Sequence, residues 1–371
     1  MKAIIFHNKE EINYFQKFKN LKEMSIYAWT PEAVDELNRH GLAYKLPGDL
    51  HIAEFNLKKR NKFIKKYKKI IDFFDHEFVK KTKKNHFTPF QNFSLGVRNI
   101  VAAYYLEADI IFLILKKKYK ELYYFNYRGQ KTLVSEIFKK VEKNKTNLKA
   151  ISPCWGLSTK VPEIHCSSQF SNNYKNNFYK KILKQISRIK NLKKVNADIF
   201  NNSSNFSKSS KSVLILDSDF KDLENTIAYL KKKNYNICFW HSFANNNKVN
   251  IEHSFSFEKL KKSKRLNDLL TVRNMSFLDE IIAKFKDVLN GKINLLYSNL
   301  LFFIDLNSRF NFEFILTSFD DPLAQAISSY LEQKKLKTKI LIFQHGGTLG
   351  LSSLQPFQNE YTKKMEQIVI L

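Results

Sequence analysis

Short, unbroken apolar runs alternate along the chain with longer stretches in which apolar residues recur every three to four positions. Ala3 to Phe6 is a run of the first kind, as a fully buried strand is. KEEINYFQKFKN (9–20) is of the second kind and sets Ile12, Phe15 and Phe18 on one helical face. MSIYAW (24–29) predicts a second strand. Thr30-Pro31 predicts a helix start, with Thr as N-cap and Pro at the first helical position. Gly41 suits the end of that helix and LPGDL (46–50) a turn.

The βαβα beginning is followed by a basic helix over 57–84 with Phe63, Ile64, Tyr67, Ile70 and Ile71 on one face. A helix over about 96–115, a strand near 121–126, a turn at YRGQKT (127–132) and a helix near 132–143 complete a first region, 1–150. Residues 151–211 connect it onward, and their Ser/Asn-rich stretch 196–211 has no periodicity and reads as a linker. A second region, 212–371, opens with a βαβ pattern. Val213 to Leu216 forms one strand, Leu223, Ile227 and Leu230 one helix face, and Ile237 to Trp240 the next strand. A helix over 277–290 follows, and FEFILTSFDDPLAQ…KILIFQHGG (312–347) then repeats strand, loop, helix, strand, loop. The pattern predicts an α/β protein, and its length argues for two domains.

Composition changes this picture little. At 371 residues and 43% hydrophobic content the chain is long enough for two cores and too apolar to be disordered. The net charge of +28 invites a nucleic-acid or anionic-surface partner. Only eight of the 63 basic residues are Arg, the side chain that grips phosphate in a fork, and no nucleic-acid-binding signature is present, so nucleic acid is not the expected partner. Three cysteines without paired spacing suit a reducing compartment, and the start has no signal-peptide layout. IVAAYYLEADIIFLIL (100–115) carries Glu107 and Asp109 and is too short to span a bilayer. A cytoplasmic protein resting on the inner membrane face fits these features.

The candidate chemistry gathers at strand ends, because ligands of open parallel sheets bind outside the carboxyl ends of the strands. The chain has nine glycines, and three of them fall within 346–350, after the strand that Phe343 closes. In Gln344-His345-Gly346-Gly347-Thr348 the paired glycines can turn backbone N–H groups toward an anion. His345 is then either a general base or the hydrogen-bonded histidine of a tight turn. At the neighbouring strand end stand Thr317, Ser318 and Asp320, with Asp321-Pro322 as cap and first residue of a helix whose N-terminus could hold phosphate. Asp320 either caps as well or binds a hydroxyl or a metal. Asp217 and its neighbours end the first strand of the same sheet, and His241 and Ser242 the second. Trp29 and Thr30 end a strand of the N-terminal region, as part of a site or only as the lead into a helix. No dinucleotide fingerprint, P-loop or HExxH is present, and Cys154, His165 and Cys166 lack the paired sets of a zinc site.

Residues 313–350, with Thr-Ser and acidic residues after one strand and FQHGGTLG after the next, resemble bacterial surface-carbohydrate (capsule and lipopolysaccharide) biosynthesis transferases. YAWTPEAVDELNRHGLAYKLPGDL (27–50) looks like the start of such proteins, and the similarity extends distantly to the teichoic-acid glycerophosphotransferases. The resemblance implies a two-Rossmann, GT-B glycosyltransferase architecture. It also implies a nucleotide sugar as substrate with no separate cofactor, and a glycan or lipid-linked acceptor. His345 would be the base, with Gly346 and Gly347 shaping the pocket. The families continue well beyond their His-Gly motif, whereas this chain stops at MEQIVIL, so a truncated C-terminal domain is expected. The rival expectations are a non-enzymatic binder of RNA or anionic glycan, and an inactive remnant of a longer transferase.

Overall fold

The computed structural model describes residues 1–17, 19–47, 49, 57–127, 133–142, 147–153, 211–216, 224–240, 251, 255–317 and 322–342. The chain divides into two compact units, each assembled from three stretches. The first takes Met1–Ile70, Gly96–Ser168 and Glu258–Phe285, and the second takes Ile71–Leu95, Gln169–Phe257 and Lys286–Leu371.

The first unit is built on four parallel strands, β1 (Lys2–Phe6), β2 (Met24–Ala28), β3 (Glu121–Phe125) and β4 (Leu148–Ile151), in the order β2-β1-β3-β4. Parallel strands need a crossover connection. Helix α1 (Lys9–Gln16) lies between β1 and β2 in the chain, and α2 (Pro31–Arg39) follows β2. Ile4, Phe6, Ile26, Tyr123 and Phe125 pack one sheet face against Ile12 and Phe15 of α1 and Ala33 and Leu37 of α2. The alternate residues Ala3, Ile5, Tyr27, Leu122 and Tyr124 are also buried, so the sheet is covered on both faces. That is why its strands read as continuous apolar runs and not as alternating ones. The outer edge of β2 does not stay bare, since Lys45 exchanges backbone hydrogen bonds with Ile26 and Ala28.

The local signals hold where expected. Thr30 accepts from the Ala33 N–H at 3.2 Å, with Pro31 at the first helical position. At the other end of α2, Gly41 takes φ +62°, and Gly41 and Leu42 donate back to the carbonyls of Asn38 and Leu37. This left-handed glycine closure ends the helix and lays Leu42 into the same core as Leu37. The basic helix α3 spans Leu57–Thr82, and its apolar stripe buries Tyr67, Ile70 and Ile71 while Lys62, Lys65 and Lys69 stay at the wet side.

The second unit has its own parallel sheet, β5 (Ser212–Ile215), β6 (Asn236–Phe239), β9 (Phe312–Thr317) and β10 (Lys339–Ile342), in the order β10-β9-β5-β6. Between them in sequence, β7 (Thr271–Val272) and β8 (Met275–Ser276) form a small antiparallel pair that belongs to the first unit. Val213, Ile215, Phe239 and Leu316 form the core of the second sheet. An aromatic cluster of Phe74, Phe78, Phe90, Phe255 and Phe257 forms a second centre in this unit, with ring centroids 4.8 to 6.5 Å apart. The apolar run 295–304, too short to cross a bilayer, lies in a helix, Lys292–Phe310, set between Gly291 (φ +70°) and Asn311 (φ +50°). Among the described residues no helix is long and apolar enough to cross a membrane.

Candidate functional site

The residues proposed from sequence follow the strands of the second sheet. Thr317 closes β9, in register with Ile342 of β10, and is fully buried. Asp217, Ser218, Asp320, Gln344, His345, Gly346, Gly347 and Thr348 lie outside the described residues, as do Asp321, His241 and Ser242. In chain order Asp217 comes two residues after β5, Ser318 directly and Asp320 three residues after β9, and His345 three residues after β10. These strands are parallel, so all three departures leave from the same sheet edge.

At the corresponding edge of the first sheet the described residues gather polar groups: Trp29 and Thr30, which the sequence offered, together with His7, Asn8, Glu11 and Tyr127, which it did not. Residues 7 and 8 leave β1, residues 29 and 30 leave β2, and residues 126 and 127 leave β3. His7 is only 6% exposed, and its backbone N–H donates to Glu11 Oε2 at 2.5 Å. The same carboxylate oxygen lies 3.6 Å from His7 Nδ1. Glu11, wholly buried in the first turn of α1, accepts the Tyr127 hydroxyl at 2.6 Å on its other oxygen. Asn8 caps α1 by accepting the Glu11 N–H at 2.9 Å, and its amide donates to Tyr127 Oη at 3.3 Å. Thr30, while capping α2, donates its hydroxyl to the His7 carbonyl. These bonds fix the His7 backbone. Both ring nitrogens of His7 are buried without a hydrogen-bond partner.

A second acid joins this edge from the helix Ser94–Lys116. The Trp29 indole N–H donates to both oxygens of Glu107, at 2.9 and 3.2 Å, and the Trp29 ring lies 6.1 Å from that of His7. Glu107 keeps some contact with solvent, yet the protein around its carboxyl raises its pKa to about 7, against the opposing pull of the Trp29 N–H and of His7. A carboxyl that both meets solvent and titrates near neutrality is suited to proton exchange. Burial and the Glu11 carboxylate likewise push the Tyr127 phenol above its ordinary range, so it stays a donor. Asn126 Oδ1, at the end of β3, is buried without a hydrogen-bond partner.

Searches among known proteins returned nothing: the chain matches no family model, no curated protein and no solved structure. The site therefore rests on its own geometry. Its position has a topological reason. In the order β2-β1-β3-β4 the chain leaves β1 toward α1 and β2 on one side, and β3 lies on the other. Such a switch point opens a crevice at the carboxyl ends of β1 and β3, and His7 and Asn126 leave those two strands. In the second sheet the equivalent strands are β5 and β9, which Asp217 and Ser318 follow.

Two signals in the sequence pointed to the first site. His7 and Asn8 directly follow a buried strand, with Glu11 four residues beyond His7. Glu107 is one of two acids in an otherwise apolar helical stretch. No local pattern links them to Tyr127, which is 116 residues from Glu11. Among the described residues no cluster of three or more His, Cys, Asp and Glu side chains has the makings of a metal site.

Proposed function

We propose that the protein is a glycosyltransferase-type enzyme that moves a sugar, or a related phosphate-linked group, from a nucleotide-activated donor to a surface-glycan precursor. The observation that carries this reading is the repetition of one device. Both units are built on a parallel sheet of the same strand order, each with its own switch point. A transferase of two substrates, arranged as a GT-B pair of Rossmann-like domains, makes use of two such edges. On this reading the donor's phosphates belong to the second sheet, where Gly346, Gly347 and the start of the helix Pro322–Gln333 would offer backbone N–H groups, with Thr317, Ser318, Asp320 and Asp217 nearby in the chain. In the transfer the acceptor oxygen bonds to the anomeric carbon and the bond from that carbon to the donor phosphate oxygen breaks. The acceptor's proton passes to a base, for which the sequence offers His345. The basic surface suits an anionic donor and an acceptor carried on an anionic membrane, in keeping with a cytoplasmic enzyme at the inner membrane face.

A thermal-shift screen of the whole chain against CMP-, CDP-, UDP- and GDP-linked sugars, with a short RNA as rival, tests this at two salt concentrations. A ligand that binds only the folded chain raises its apparent stability. A salt-tolerant shift with one nucleotide class is the expected outcome. A shift with RNA alone, lost at high salt, replaces the reading with charge-driven binding.

A further inference from the structure

We draw no further inference here: the strongest candidate, the row of exposed lysines Lys62, Lys65, Lys68 and Lys69 on the first-unit end of helix α3, carries only the anionic-surface contact already contained in the proposed function, and nothing in the structure shows what covers it.

Discussion

The two sheets share a strand order and differ in how they are covered. Written from its own second strand, each reads second, first, third, fourth: β2-β1-β3-β4 and β6-β5-β9-β10. In the first sheet Ile4, Ile5, Phe6, Tyr124 and Phe125 are fully buried, and apolar side chains cover both faces. In the second, Ile237, Phe314 and Leu341 of the strands are only partly buried. The first sheet also carries a closed network of polar side chains at its carboxyl edge, linked from His7 through Glu11 to Tyr127.

The widest gap should come from the cores. Phe6→Ala removes a fully buried ring and should cost about 3–5 kcal/mol, whereas Phe314→Ala, at a half-covered position, should cost about half as much. Urea midpoints of the two variants measure the gap, and equal losses would erase the contrast in packing. Next comes the polar network. Glu11→Ala leaves the Tyr127 hydroxyl and the His7 N–H buried without their acceptor, for a loss of about 2–4 kcal/mol. A loss under about 0.5 kcal/mol would mean that the network does not hold the edge together.

Glu107 sharpens the comparison through pH. Its carboxyl is raised from 4.5 to about 7, so the folded chain favours the protonated form. The stability this group contributes is present below about pH 4.5 and is lost as pH rises to about 7. Glu107→Gln should flatten the fall in stability across that window by about 1 kcal/mol, a figure reduced for the partial exposure of the group. An unchanged slope would place the titration elsewhere. The smallest effect belongs to a cap. Thr30→Ala should cost about 1 kcal/mol, because Ala33 loses its acceptor at the start of α2. Thr30→Ser should recover most of it, which a side-by-side thermal melt checks.

Much of the secondary structure could be read along the chain. Expected strands at Val213 to Leu216 and Ile237 to Trp240 fall within one residue of β5 and β6, and the helix expected over 277–290 runs Leu278–Leu289. The misses have physical causes. Leu148–Ile151 exposes two of its four residues and is too short to show a period. The pair Thr271–Val272 and Met275–Ser276 has two residues to a strand, with left-handed Arg273 and Asn274 at its turn where the sequence has no glycine. In Lys292–Phe310 apolar residues are so dense that the helical face is hidden within a run. The His7 edge was less legible than the fold: glycines mark His345 locally, whereas His7 stands beside an ordinary helix cap.

What the sequence determined by itself are the features that depend on near neighbours: the periods of its strands and helices, the Thr30 cap and the left-handed Gly41. Each is settled within a few residues by backbone sterics and by side chains one helical turn apart. Strand order, the burial of both faces of the first sheet, and the meeting of His7, Glu11, Trp29, Glu107 and Tyr127 came only with the tertiary structure. Trp29 and Glu107 are 78 residues apart, and nothing in either segment encodes the other. They meet because β1 is buried between β2 and β3, an arrangement that takes apolar surface from many segments out of water together.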